Sequence, residues 1–380
     1  MTATPAGPGA GRNASPYLYG TEQAAVARVL ASGHYGHTST VEEFEEGVAR
    51  LLGVEDAVAV SSGTAAVHTA LVAAGITTGM DVIVPSLTFC ATIQAILHCG
   101  ARPRFAEVNP DTLCMDAPAV LDALTDTTTA VMPVLYGGRA VDLRPIDDLL
   151  AERGITVIED AAHAFGSYQG LHRVGATGRL TCFSFGPIKN LTCGQGGMII
   201  PRTRAEARRI RSLRLLGVVE SASQRAASTT YQVTTPGAFR YQMSAINAAI
   251  GSVQLAHFAT AQAVRKYLWR SYQTALRSVP DAILVDVDVD HSVPHLAVVK
   301  VPDRDRVWAY MREKGIGVGV HYPPNHEQPA FSPWHRPLPV TERLGQQIMT
   351  LPFHQHLTSD DIRYVVSTLQ QALDTSGVSR

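Results

Sequence analysis

Lysine is almost absent from this sequence, with four residues against 28 arginines. Three of the four stand where a solubilising charge is ordinary: Lys266 in an Arg- and Gln-rich helical stretch, Lys300 at a strand end, and Lys314 after Arg312-Glu313. Lys189 does not. It lies in Cys182-Phe183-Ser184-Phe185-Gly186-Pro187-Ile188-Lys189-Asn190, between an apolar strand and the glycine-rich Gly194-Gln195-Gly196-Gly197. An amine that can lose its proton forms Schiff bases, whereas a guanidinium stays charged. A lysine kept in such a setting by an arginine-using chain therefore points to chemistry. A half-buried lysine that snorkels to the surface is the plain alternative, and the neighbouring motifs have to decide.

Other scarcities exclude whole classes. Five cysteines form no Cys-x-x-Cys pair and leave an odd one, and no signal peptide is evident, so a reducing cytoplasm is the expected compartment. No apolar run approaches the ~20 residues that span a bilayer. The net charge of −1, without any basic run, gives no electrostatic support for nucleic-acid or membrane binding. The arginines between Arg202 and Arg214 are spaced like the solvated face of a helix. No metal site is expected. His326-Glu327-Gln328-Pro329-Ala330 lacks the second histidine of a zinc-protease helix and contains a helix-breaking proline. Asp286, Asp288 and Asp290 lack the glycine and terminal glutamate of a calcium loop, and their alternation with valine reads as an exposed strand face. No Gly-x-Ser-x-Gly elbow supports a serine hydrolase.

What is present is a chain of 380 residues, 46% hydrophobic, long enough for about two domains. Residues 1–16, rich in Ala, Gly, Pro and Thr, read as a disordered tail. From about residue 57 to 200, short apolar runs alternate with helical patterns, the signature of a largely parallel α/β sheet. The expected strands are Ala57–Ser61, Asp81–Val84, Arg104–Glu107, Ala130–Leu135, Thr156–Glu159, Leu180–Phe185 and Met198–Ile200. Helices are expected at Thr64–Ala74, Ala91–Cys99, Ala117–Leu124 and Leu143–Arg153. A large α/β domain over residues 17–255 would then precede a smaller α+β domain over 256–380. A long helical pattern runs from Ser244 toward Arg277. After it, the smaller unit should contain a strand near His295–Val301, a helix near Arg304–Lys314, a strand at Val318–Tyr322 and a final helix from Ser359 to about Leu373.

Four motifs in the large unit fit a pyridoxal-phosphate site. Ser61-Ser62-Gly63-Thr64-Ala65-Ala66 takes a strand through glycine into a helix, whose first-turn N–H groups and positive dipole end suit a phosphate, although a plain serine cap has the same look. Val157-Ile158-Glu159-Asp160-Ala161-Ala162-His163 puts acids at the C-terminal tip of a strand, where α/β sheets bind ligands. A buried carboxylate there needs a cation, and a protonated pyridine supplies one. Glu159 and His163 have structural readings too, as a salt-bridge partner and a packing residue. Phe89, in Pro85-Ser86-Leu87-Thr88-Phe89, could stack on a ring or simply fill the core. Ser184 and Lys189 share one strand-to-loop element, the first able to donate to a phosphate and the second to reach an aldehyde.

Together, Ser-Ser-Gly-Thr-Ala-Ala, Pro-x-x-Thr-Phe-x-Ala-Thr, Glu-Asp-Ala-Ala-His-Ala and Phe-Ser-Phe-x-x-x-Lys-Asn-x-x-x-Gly-x-Gly-Gly resemble the DegT/StrS-type sugar aminotransferases. Met243-Ser244-Ala245-Ile246-Asn247-Ala248-Ala249-Ile250-Gly251 and Val320-His321-Tyr322-Pro323 extend the resemblance over nearly the whole chain. It implies a fold-type I pyridoxal-phosphate enzyme, shuttling between the PLP and PMP forms of the cofactor. Lys189 would bond the cofactor aldehyde and move the proton, and Asp160 would hold the pyridine nitrogen. His163 would lie beside the ring and Phe89 would stack on it. Gly63, Thr64, Ala65 and Ser184 would hold the phosphate. It further implies a homodimer whose active site is shared, the partner's clamp residue standing just before the Met243-Ser244 segment. The family mostly has Asn there; this chain reads Phe239-Arg240-Tyr241-Gln242, so Arg240 or Gln242 takes the part. Gly186 stands where many relatives carry a histidine. His321, Tyr322, Asn325 and His326 are the residues expected to approach substrate. The implied reaction moves an amino group from an amino acid, L-glutamate by family analogy, to a keto sugar, nucleotide-linked in most of the family. The alternatives are a sugar dehydratase or cyclitol aminotransferase of the same family, and a non-catalytic cofactor-binding regulator. The family's dehydratases replace the Schiff-base lysine with histidine, and this chain retains Lys189.

Overall fold

The computed structural model describes residues 9–218 and 227–375. Nine strands form in the first 200 residues: β1 (Val58–Val60), β2 (Asp81–Pro85), β3 (Arg102–Ala106), β4 (Thr128–Val131), β5 (Thr156–Asp160), β6 (Tyr168–Gln169), β7 (His172–Arg173), β8 (Leu180–Ser184) and β9 (Gly197–Ile200). Seven of them make one sheet in the order β1-β9-β8-β5-β4-β2-β3. β3, β2, β4, β5 and β8 pair in parallel, while β9 runs antiparallel to both β8 and β1. The sheet strands are mostly buried, β2 and β9 completely and β8 up to Ser184, as a parallel sheet covered on both faces requires. Their C-terminal ends open on one edge. There Ser61, Ser86, Asp160 and Ser184 leave the sheet.

All seven expected strands form, with shifts of one or two residues at several ends and one larger change. β4 stops at Val131 because Pro133 has no N–H to continue the ladder; the chain rejoins only through a bridge from Val134 to Asp160. Helices follow at Gly63–Ala73, Cys90–His98 and Ala117–Ala123. The helix expected at Leu143–Arg153 is instead a 3-10 turn at Arg144–Ile146, entered through Pro145, and a short α-helix at Asp147–Glu152. The arginine-rich stretch is a helix over Arg204–Arg214, but its face is not wholly solvated. Arg214 is buried, with Nη1 donating to Glu45 and, at 2.7 Å, to the Ala59 carbonyl.

The long helix after Ser244 divides at His257 into Ala245–Ala256 and Phe258–Ala275. The first segment packs on Glu22–Ser32 and Ser39–Leu52, the second on Ser359–Asp374. Beyond them β10 (Ile283–Leu284), β11 (Ala297–Lys300) and β12 (Ile348–Leu351) form an antiparallel sheet. Leu268, Trp269, Tyr272, Val299, Met311 and Leu369 pack against it. Residues 318–322 are not a strand, contrary to expectation. Gly319 makes one bridge to Thr350, and Pro323-Pro324 ends any ladder, so β12 fills the third place. Asp286, Asp288 and Asp290 also lie outside any strand; Asp288 turns the chain at φ 52°.

The tail expected through residue 16 is packed from Gly9 onward. Ala10 is fully buried and its carbonyl accepts from Gly317 N–H at 2.9 Å, while Asn13 donates to Thr350. Residues 1–8 of that tail lie outside the described residues. No described helix is long and apolar enough to cross a membrane.

Candidate active site

Asp160 ends β5 with its side chain on the opposite face from Glu159, by the alternation of a strand. Glu159 is a structural acid. It accepts from Thr181 Oγ1 at 2.8 Å and faces Arg179 at 3.9 Å. Asp160, equally buried, accepts from Thr92 Oγ1 at 2.7 Å and from Ala162 N–H at 3.1 Å. Burial raises its pKa, opposed by these two hydrogen bonds and by the charge of Lys189. A carboxylate so enclosed, with a hydroxyl and an amide for donors, is poised for a cationic partner such as a pyridinium.

Lys189 follows β8 in a turn that its own N–H closes onto Gly186 O at 3.2 Å. Desolvation lowers its pKa from 10.5 to about 8, with Asp160 pulling the other way. The amine is thus half free near pH 8 and about one-tenth free at pH 7, far more than an ordinary lysine, as carbonyl bonding requires.

His163 is buried beside both. Gly137 N–H donates to Nδ1 at 3.3 Å, so Nε2 carries the ring proton and points to the Tyr322 hydroxyl at 3.2 Å. Burial, then Lys189, then His321 hold its pKa well below the ordinary value, keeping the ring neutral. Phe89 precedes the helix Cys90–His98, 56% exposed and 5.6 Å from the Tyr322 ring. An aromatic left open at the edge of a cleft suits ring stacking.

The phosphate cradle can be tested on packing. A Cβ on Gly63 would stand 2.6 Å from Ser184 Cβ and 2.8 Å from its Oγ, so only glycine lets the helix start and the Ser184 hydroxyl converge. Ala65 N–H is taken by the Ser62 hydroxyl at 3.0 Å and Ala66 N–H by the Ser62 carbonyl at 3.0 Å. The N–H groups of Gly63 and Thr64 remain as donors the helix cannot use. These residues fit a phosphate.

Arg240 and Gln242 flank Tyr241, whose carbonyl accepts from Ser61 N–H at 2.7 Å beside the cradle. Gln242 bridges to Val60 and its Oε1 is buried without a partner. Arg240 is exposed.

The four expected substrate residues separate into two pairs. His321 and Tyr322 face the cleft: Lys189 lowers the His321 pKa after burial does, and Tyr322 meets His163. Asn325 and His326 are buried ties instead. Asn325 Nδ2 donates to the Ser86 and Thr88 carbonyls at 2.9 and 2.6 Å, and His326 Nδ1 lies 2.7 Å from Ser86 Oγ.

Several neighbours escaped the sequence reading. Thr92 is legible in hindsight, one helical turn after Thr88 and 3.2 Å from it. Tyr136, whose hydroxyl donates to the His321 carbonyl, and His295, 4.2 Å from the His163 ring, carry no local signal. Asn190 joins them, accepting from His295 Nδ1 at 3.2 Å and donating to Val293 O at 3.1 Å.

Residues 16–370 match the DegT/DnrJ/EryC1/StrS aminotransferase family. The chain is similar to S. venezuelae DesV, crystallised in complex with a ketimine intermediate, at 32% identity, covering 92% of this chain and 93% of that one, with a TM-score of 0.85. It is similar to the aminotransferase TlmJ from Streptoalloteichus hindustanus at 30% identity, covering 96% and 99%, TM-score 0.89. DesI, analysed in the presence of its TDP-sugar product, matches at 29% identity over 98% and 94%, TM-score 0.86. The chain belongs to the DegT/DnrJ/EryC1/StrS aminotransferase family and is a pyridoxal-phosphate-dependent sugar aminotransferase.

Proposed function

We propose that the protein moves an amino group from L-glutamate to the ketone of a nucleotide-linked deoxysugar, working as a homodimer. The observation that carries this reading is Lys189, an amine whose pKa is lowered to about 8 beside the buried Asp160. Pyridoxal phosphate, when bound, supplies the electron sink and the carbonyl that carries the amine. Asp160 holds the positive charge of its ring nitrogen. The first-turn N–H groups of Gly63 and Thr64, with the Ser184 hydroxyl, bind its phosphate. His163 and Phe89 bracket the ring as neutral and apolar surfaces. Lys189 Nζ, once free, takes the proton from the donor's α-carbon and returns it on the far side of the transfer. His321 and Tyr322 approach from the smaller unit and orient the sugar.

Arg240 is the residue we assign to the phosphate of the partner subunit's site. Both residues make a backbone bridge within their own chain, Arg240 to Leu215 and Gln242 to Val60, but Arg240 is exposed and Gln242 half-buried. A guanidinium there exceeds the usual asparagine in charge and in forked geometry.

The nucleotide-linked acceptor is supported by the likeness to DesI with its TDP-sugar product. The test is spectroscopic. Purified enzyme loaded with pyridoxal phosphate should lose its visible cofactor band on adding L-glutamate and regain it on adding a TDP-keto-deoxysugar. Loss without recovery on any nucleotide sugar, with recovery on a cyclitol ketone, would overturn the acceptor. No loss with glutamate, alongside loss with another amino acid, would overturn the donor.

A further inference from the structure

We propose that His326, His335 and Glu342 form an accessory binding site for a divalent transition-metal ion of the zinc class. One ring nitrogen of each histidine and one carboxylate oxygen of Glu342 lie within 4.8 Å of one another. His326 Nε2 and Glu342 Oε1 are already 3.3 Å apart. Two ligands each 2.0–2.1 Å from a tetrahedral ion are separated by about 3.4 Å, so this pair already has the spacing of a shared metal. His335 completes the set by a rotation of an exposed ring whose centroid is 5.4 Å from that of His326.

The surrounding groups orient these donors. Ser86 Oγ lies 2.7 Å from His326 Nδ1 and can accept its proton when Nε2 faces an ion, the usual support for a ligating imidazole. Glu342 is fixed by Leu338 N–H, which donates to Oε1 at 2.8 Å. The neighbouring Arg336 points away, held by Asp122 at 2.6 Å and by the Phe105 carbonyl at 3.3 Å. The Arg336 guanidinium is thereby engaged away from Glu342. Two imidazoles and one carboxylate select zinc, cobalt, nickel or copper over magnesium or calcium, which prefer oxygen. The ring of His326 is enclosed, while His335 is exposed and the Glu342 side chain is 35% exposed, leaving an entry path and room for water as fourth ligand.

Placement gives the site a consequence. His326 holds Ser86, and Asn325 holds the Ser86 and Thr88 carbonyls, immediately before the ring-stacking Phe89. A bound ion would brace the wall that carries Phe89.

The experiment uses the cofactor-loaded enzyme, stripped of adventitious metal with a chelator and titrated with Zn2+ in competition with a chromogenic chelator. The same titration is run on His335→Ala and His335→Cys. Because pyridoxal phosphate can itself hold metals, the readout is the difference between proteins. One equivalent per chain should bind the native enzyme at least about tenfold more tightly than His335→Ala, with recovery in His335→Cys, since thiolate is also a zinc ligand. Co2+ in place of zinc should give tetrahedral visible bands that His335→Ala lacks. Equal zinc affinity in the native enzyme and His335→Ala, or no binding by either, overturns the proposal.

Discussion

Thr92 Oγ1 donates a 2.7 Å hydrogen bond to Asp160 Oδ2 from a helix that begins directly after Phe89. Phe89, which we assign to cover the cofactor ring, and Thr92, which lowers the proton affinity of Asp160, therefore stand in one helix start. Moving that helix changes both.

Replacing Thr92 by valine keeps the volume and removes the donor. A hydrogen bond to a charged group contributes about 1.5–3 kcal/mol. The bond favours the ionised carboxylate, so its loss raises the Asp160 pKa further. The acid limb of the kcat/KM pH profile should move to higher pH. An unmoved limb would show that Thr92 only packs.

Lys189 reacts with a carbonyl only as the free amine, and its lowered pKa of about 8 puts the transition within a measurable range. Capture of pyridoxal phosphate by the cofactor-free protein should rise about tenfold per pH unit below 8 and level off above it. A lysine at its ordinary value would keep rising to about pH 10. Lys189→Ala should abolish turnover and leave the circular dichroism and Tm of a folded protein.

Gly63→Ala places a methyl group 2.6 Å from Ser184 Cβ. The helix start or Ser184 must shift, and the phosphate donors with them. Cofactor affinity should fall by about tenfold or more, measured by fluorescence titration, with little change in kcat once saturated. An unchanged affinity would remove Ser184 and the helix start from the phosphate site.

Arg214 is a buried charge tied to Glu45, the Ala59 carbonyl and His37 Nε2, the last at 2.7 Å. Burial and then the Arg214 charge lower the His37 pKa to about 4, so the ring stays neutral and accepts from the guanidinium. Arg214→Ala strands the Glu45 carboxylate and should cost about 3–5 kcal/mol in denaturant unfolding. A loss under ~1 kcal/mol would mean that water reaches the pair.

The parallel sheet was legible because each strand announces itself locally, by an apolar run and a turn residue. Thr156–Asp160 and Leu180–Ser184 were visible for that reason. The strand expected at 318–322 was not one because a lone edge segment is chosen by its partner. Ile348–Leu351 pairs with β11, and the 318–322 segment reaches only its outer edge through the single Gly319–Thr350 bridge. The break at His257 was hidden as well, since both halves of the helical pattern continue in phase.

The family of this protein was legible in the sequence itself: an acid, a serine and a glycine-led helix start at the C-terminal ends of strands and a lysine in the loop after one of them, where side-chain type and position suffice. The tertiary structure alone decided which nearby residues serve substrate and which serve the frame. Asn325 and His326 look like site residues in the chain, yet Asn325 Nδ2 is committed to the Ser86 and Thr88 carbonyls and His326 Nδ1 to Ser86, more than 230 residues earlier. Tyr136 and His295 look like nothing, yet they pack beside His163. Such pairings join residues far apart in the chain through tertiary packing, which no local pattern encodes.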